Sequence, residues 1–325
     1  MKRTIFIILA LLSATLIGCQ SEEGGTYAQD PDNQKESKVV EHALGKTEVP
    51  VNPERVVVIG LEDMMLSLEI PMLAATGVEG QYLYDLLKEE DIHIIGTVGA
   101  EYNFEAILDQ EPDIIVASES PAGRENVYER LTQIAPTITY DREDWRESIK
   151  AIGSVFGKGE KADQVIQTLD EKLEKAKKKV TDSIGEDQTV AFIRPTNKDV
   201  QVFFPGYSYT SVLYDELGFT TGALVSELQE NEEEGAWGSV VSLEKMPELT
   251  ADYLFVTVGS SLATIEDNEQ ASLALEEAKK LPVWQGIPAV QQERVYVVSP
   301  RHWMLNGPIA ESRKIDDVVE ALTTN

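Results

Sequence analysis

The chain has 325 residues, with 28 lysines and arginines against 57 aspartates and glutamates, a net charge of −29 and a single cysteine. A surface this acidic repels nucleic acid and anionic lipid and disfavours polyphosphate ligands unless basic residues are gathered locally, and one cysteine excludes an internal disulfide. With 42% of residues hydrophobic, a folded part of about 285 residues exceeds the comfortable size of one core and predicts two domains.

The chain opens with a basic pair, Lys2 and Arg3, followed by an apolar run from Ile5 to Leu12. This is the pattern of a secretory leader, and it is too short for a spanning helix, which needs about 20 apolar residues. Leu16-Ile17-Gly18-Cys19 resembles the bacterial lipobox, which implies cleavage after residue 18 and a lipid on Cys19. The other reading is an ordinary cleavage site beside an ordinary cysteine. Losing Lys2 and Arg3 with residues 1–18 brings the net charge to −31. Residues 19–38 are rich in Ser, Glu, Gly, Asp and Gln and predict a disordered tether.

From Val39 apolar runs alternate with amphipathic segments. Val56 to Ile59 reads as a buried strand after the turn residues Asn52-Pro53. Then come a helix over Leu61 to Leu68, a strand near Leu73 to Thr76, a helix around Tyr82 to Lys88 and a strand at Ile92 to Ile95. A helix over Phe104 to Asp109, a strand at Ile114 to Ala117, a helix over Glu125 to Ile134 and a strand at Thr137 to Tyr140 complete residues 39–142. This alternation predicts a mostly parallel sheet wrapped by helices.

Residues 143–184 change tempo. Trp145, Ile149, Ile152 and Phe156 mark one helix, Gly157-Lys158-Gly159 breaks it, and Ala162 to Val180 carry helical spacing in a second. That helix of about 22 residues, about 33 Å long, reaches from one lobe to another, and its charged outer face, Glu171 to Lys179, reads as solvated. Residues 185–325 then alternate again: strands at Val190 to Ile193 and Val200 to Phe204, a helix over Tyr209 to Leu217, a strand at Tyr253 to Val258, a helix over Ala271 to Lys280, a strand at Val295 to Val298 and a helix over Ile309 to Leu322. The five glutamates between Glu227 and Glu234 read as a solvated loop. The fold class is α/β: two Rossmann-like lobes with mostly parallel sheets joined by one long helix.

Several segments carry a family resemblance in order and spacing. They are Asn52-Pro53-Glu54-Arg55-Val56-Val57-Val58, Gly96-Thr97-Val98-Gly99, Asn103 to Leu108, Glu111-Pro112-Asp113-Ile114-Ile115, Ile134-Ala135-Pro136-Thr137, Leu243-Glu244, Ala251 to Val256, Trp303 and Gly307-Pro308. From Val39 to the C-terminus the chain resembles the periplasmic binding proteins for iron siderophores, haem and vitamin B12. The resemblance implies a monomeric solute receptor of an ABC importer on the extracytoplasmic face of the membrane. It also implies that Glu105 and Glu244, one per lobe, dock on arginines of the permease. A second explanation of the two acids is simple compensation of a helix dipole.

In such two-lobed folds ligands sit where loops leave the carboxyl ends of strands. That rule nominates Glu62 and Asp63, Tyr102, Ser118 to Arg124, Arg194 to Lys198, and Arg301 to Asn306. Arg194 directly follows an apolar strand, where its fork of donors suits hydroxamate, carboxylate or catecholate oxygens; a salt bridge within its own lobe is the alternative. Trp303 is either a cleft aromatic, as the resemblance implies, or a core tryptophan. Arg301, Tyr207, Arg124 and Trp237 complete the candidates; Arg301 and Arg124 have a surface alternative and Trp237 a packed-loop one, and His302 reads as a bystander.

Three histidines, of which His42 lies beside the tether, are too few for a receptor of bare metal ions. No dinucleotide, phosphate-loop or nucleophile-elbow motif supports an enzyme. Haem would need an axial ligand such as Tyr207 or His302, and cobalamin a more aromatic, less cationic cleft. The expected ligand is therefore a ferric siderophore of hydroxamate or citrate type. Iron keeps its chelator's ligands, with no protein metal site and no cofactor.

Overall fold

In a computed structural model that describes residues 36–98, 101–196 and 198–324, residues 36–325 form one compact unit. The leader and Cys19 lie outside the described residues. No helix among the described residues is long and apolar enough to cross a membrane.

The N-terminal lobe is built on a five-stranded, wholly parallel sheet in the order His93–Ile95, Ala74–Thr76, Val56–Ile59, Ile114–Ser118, Thr137–Tyr140. Strand order reverses between Val56–Ile59 and Ile114–Ser118, which creates the crevice that open α/β sheets use for ligands. The C-terminal sheet is mixed. Val190–Pro195, Tyr253–Thr257 and Val295–Val298 run parallel, and Asp199–Phe203 and Gly238–Ser242 add an antiparallel edge.

Alternate residues of each strand serve different cores, as the two-residue period of a strand requires. In the N-terminal sheet Val57, Ile59, Ile115 and Ala117 face one cluster, and Val56, Val58, Ile114 and Val116 face another. In the C-terminal sheet Ile193, Val202, Leu254 and Val256 pack outward with Trp284, while Val190, Phe192, Phe203 and Phe255 join the cluster that Val56 and Val58 belong to. One apolar core is therefore continuous from sheet to sheet. It runs through the helix Gly159–Ile184, via Ala162, Leu169, Ala176 and Val180, and the C-terminal helix Pro308–Thr323, via Ala310, Ile315, Val318 and Leu322. The connecting helix has 26 residues, about 39 Å, longer than the sequence suggested because its first turn begins at Gly159 itself. Gly157, at φ +67, ends the preceding helix Trp145–Val155.

Three local departures from the sequence reading have clear causes. Ser37–His42 pairs with Gly45–Pro50 as a hairpin, so Ser37 and Lys38 belong to a strand rather than to the tether. His42, read as lying beside the tether, is buried, with Nδ1 3.0 Å from Thr139 Oγ1 and Nε2 2.9 Å from Thr47 Oγ1. Gly238–Ser242 escaped notice because an edge strand with Val240 exposed shows no apolar run. The glutamate-rich stretch begins inside a helix, Ala223–Glu230.

Asp63 locks the two lobes. Gly307, at the N-cap of the C-terminal helix, has no side chain to cap it. The Asp63 carboxylate, 246 residues away, accepts from Ile309 N and Ala310 N at 2.9 Å each and from the Tyr82 hydroxyl. An anion at a helix N-terminus meets both unsatisfied N–H groups and the dipole. Burial nevertheless pushes Asp63 up to about 6 from its ordinary 3.8. Burial likewise raises Glu216 to about 7, and raises Glu62 and Glu311.

The folded chain thus keeps protons that the unfolded chain releases as pH rises from about 4 to about 7. Each such group stabilises the fold below its unfolded pKa and stops doing so as pH passes its folded pKa, so stability declines across that window. Denaturant midpoints are expected to be higher at about pH 5 than at about pH 7.5. A midpoint that rises between those values would show that these carboxyls ionise normally.

Candidate functional site

The parallel strands within each sheet all end on one side of that sheet. On the C-terminal side, Arg194 sits half-buried at the end of Val190–Pro195, with its guanidinium 5.7 Å from the centre of the Phe203 ring. Burial lowers its pKa and the Tyr209 phenol opposes that shift; no carboxylate acts on it. The salt-bridge alternative for Arg194 therefore finds no acid among the described residues.

Beside it stands an aromatic wall. Tyr207 and Tyr209 meet edge to face at 5.1 Å, Trp237 lies 5.6 Å from Phe203 and 6.5 Å from Tyr207, and Trp237 remains 38% exposed. Burial pushes the Tyr207 phenol up to about 12 and raises Tyr209 as well, so both are neutral hydrogen-bonding groups.

On the N-terminal side the principal cation is Arg142, in the loop after Thr137–Tyr140. Its charge acts on Glu62 and Tyr102 in its own lobe and on Tyr207 and Tyr209 across the cleft. Tyr209 thus lies within the fields of Arg142 and Arg194 together. Arg142 pairs with Glu143 at 3.7 Å, and among the described residues its buried Nε has no hydrogen-bond partner. Buried donors are almost always paired in folded proteins, so an orphan at a cleft calls for a functional explanation. The sequence reading missed Arg142, although the strand-end rule that nominated Arg194 applies equally to the loop after Tyr140.

Tyr102 links this cation to Arg124, whose charge also acts on the Tyr102 phenol. Tyr102, Arg124, Phe104 and Arg130 line a cavity of about 620 Å³, in which the Arg130 guanidinium stacks on Phe104 at 3.5 Å. Arg124 is exposed, so its loop does not turn it into the core.

Four nominated residues belong to the scaffold. Trp303 is 0% exposed, stacked on Phe255 at 5.5 Å, and donates Nε1 to Asp317 at 2.7 Å; it is a core tryptophan and touches no cleft. Arg301 is 9% exposed and donates Nη1 to the carbonyls of Ser261 and Ala263 at 3.1 and 2.7 Å. Its Nη2 lies against Gly80 of the other lobe, so it ties the lobes together. Glu62 is buried and accepts from Gly60 N at 2.8 Å, Thr76 N at 3.2 Å and the Thr76 hydroxyl, which joins the ends of two neighbouring strands. Asp63 is the helix cap already described. His302 pairs through Nε2 with Asp317 at 2.7 Å, which removes it as an axial haem ligand.

Glu105 and Glu244 are both exposed, each in the first turn of a short helix, Phe104–Leu108 and Leu243–Glu248. The two settings repeat each other. Asn103 caps one helix by accepting from Ala106 N, and Ser242 caps the other by accepting from Glu244 N. After each helix an aspartate precedes the next strand and clamps the lobe's first strand: Asp113 accepts from Glu54 N and Arg55 N, Asp252 from Thr189 N.

Two α/β lobes joined by one long helix, with aromatic and cationic side chains gathered between them, have the architecture of a solute-binding protein. The periplasmic binding protein family matches residues 95–301, and the chain belongs to that family. It is 26% identical to the probable siderophore-binding lipoprotein YfiY of Bacillus subtilis, over 98% of both chains. It is 27% identical to the putative ABC transporter substrate-binding lipoprotein YhfQ of the same organism, again over 98% of both. Among solved structures, SirA of Staphylococcus aureus complexed with staphyloferrin B superposes with a TM-score of 0.71 at 24% identity, over 88% of this chain and 98% of that one.

Proposed function

We propose that this protein captures an iron(III)-siderophore chelate in the inter-lobe cleft and delivers it to the permease of an ABC importer, held at the extracytoplasmic face of the membrane by a lipid on Cys19. The observation that carries this reading is the pair of half-buried arginines, Arg142 and Arg194, whose charges both reach Tyr209 from opposite lobes: Arg194 has no ion pair among the described residues, and Arg142, 3.7 Å from Glu143, keeps a buried Nε without a partner. Such donors match an anionic chelate's peripheral oxygens, and Tyr207, Tyr209 and Trp237 supply apolar area with polar edges. The names of YfiY and YhfQ point the same way. Hydroxamate or citrate-type chelates are favoured, because a strongly anionic catecholate complex calls for more cations than this cleft gathers. Iron keeps its chelator's ligands.

Glu105 and Glu244 are the proposed permease contacts, presented by equivalent turns of the two lobes, so that docking reads the spacing between them. Replacing both with alanine is expected to leave chelate affinity unchanged and abolish uptake of labelled ferric siderophore by cells. Normal uptake would remove the docking assignment, and lost binding would show that the acids act through the fold.

A further inference from the structure

Tyr207 also lines a second cavity, of about 380 Å³, whose walls hold six carboxylates and one guanidinium, Arg146. Most of these charges are already engaged. Glu143 accepts from Asn306 Nδ2 at 2.8 Å and from the Ser208 hydroxyl, and Arg146 reaches Asp170 at 2.8 Å and Glu216 at 3.8 Å.

Among the described residues, two buried carboxylate oxygens of this wall have no hydrogen-bond partner. Glu311 is 1% exposed; its Oε1 takes Lys314 Nζ at 3.1 Å and its Oε2 has no partner. Glu216 Oε2, buried in the same wall, has none either. Glu216 and its neighbour Asp215 are placed there by a π-helical turn, Val212–Glu216, closed by Leu217 N on Val212 O at 3.1 Å. Such wide turns often mark functional sites, where they re-aim a side chain. An unpaired, buried carboxylate oxygen is costly unless a donor reaches it.

We propose that this cavity is a cation subsite of the cleft, and that the chelate this protein carries bears a protonated amine arm seated between Glu216 and Glu311. The inference rests on the proposed function for the chelate and adds its substrate class: a ligand with an anionic iron centre and a cationic arm. Arginines on one side of Tyr207 and carboxylates on the other hold such a ligand in a single orientation.

The groups facing the pair are Lys314 on the same helix, Arg146, Asp63 and Asp170. Among them burial raises both glutamates, Glu216 to about 7. An ammonium favours their ionised forms, so the amine-dependent part of the affinity weakens as pH falls below that value.

Two titrations of the whole chain decide the matter. In the first, pentylammonium alone is followed through the indole resonance of Trp145, which lines the cavity. The expected result is a saturable shift that is lost in Glu311→Gln and in Glu216→Gln. Two variants are used because Glu311 also pairs with buried Lys314, and Glu216 lies nearer the surface. Absence of the shift in the unaltered protein, or its persistence in both folded variants, would overturn the cation site. In the second, ferric ferrioxamine with its free terminal ammonium is compared with its N-acetylated form. Acetylation is expected to weaken binding about tenfold or more, the worth of a charge-assisted hydrogen bond. Equal affinities would overturn the amine-arm assignment. If neither chelate binds while pentylammonium still shifts Trp145, the amine-arm assignment falls and the cation site stands; the siderophore reading falls only if no iron chelate binds at all.

Discussion

Gly307→Ala is expected to lower stability by about 3 to 5 kcal/mol, the sum of a strained backbone and an overpacked contact. Gly307 has φ +138, a conformation that side chains rarely adopt, and a Cβ there would lie 2.4 Å from Asp63 Cγ. The clash cannot be relieved cheaply, because Asp63 is fixed from three sides by Ile309 N, Ala310 N and Tyr82. Moving it strips the N-terminus of the helix Pro308–Thr323 of the carboxylate that caps it and leaves backbone N–H groups unpaired. Asp63→Asn keeps an acceptor with little change of shape and is expected to cost less than Gly307→Ala. Denaturant unfolding reads both, and a loss below about 1 kcal/mol for Gly307→Ala would show that the lobe junction is soft rather than locked.

Arg142→Ala and Arg194→Ala are each expected to weaken chelate binding about 10- to 100-fold, the range of a hydrogen bond to a charged partner. The double variant is expected to be weaker than either single one. In Arg194→Ala stability is expected to hold or rise, since a half-buried guanidinium with no ion pair among the described residues is destabilising in the ligand-free fold. That combination separates a binding role from a structural one. A structural arginine would lose stability and affinity together. Loss of affinity in Arg194→Ala alone would place the ligand wholly on the C-terminal lobe, and unchanged affinity in both would refute the cleft described above.

The N-terminal lobe was largely legible because its central strands are buried on both faces and read as continuous apolar runs, as Val56–Ile59 and Ile114–Ser118 show. The edge of the C-terminal sheet was not. Gly238–Ser242 has one buried residue and needs its glycine, where a Cβ would lie 2.3 Å from Val202 O. The proposed site was legible as far as the strand-end rule reaches: it nominates Arg194 and Tyr102, and the structure places Arg194 half-buried beside Tyr209 and Tyr102 within the field of Arg142.

Direction was the part not written locally. Arg301 and Trp303 follow a strand just as Arg194 does, yet the short helix Pro300–Trp303 turns both inward. Asp63 and Glu311 owe their roles to partners on the far side of the chain, which no local pattern announces. Arg142 carried a usable signal, a cation immediately beyond the last strand of its lobe.

Capture of a ferric chelate is read by titrating the chain with ferric siderophores of hydroxamate, citrate and catecholate type, with haem and cobalamin alongside, while following tryptophan fluorescence. Trp237 is the reporter, because Trp303 and Trp284 are buried away from the cleft and Trp237 stands against Tyr207. Saturable quenching at micromolar or lower concentration by a hydroxamate or citrate-type chelate, reduced in Trp237→Phe, is the expected result. Quenching by haem or cobalamin alone, or by none of the iron chelates, would contradict it.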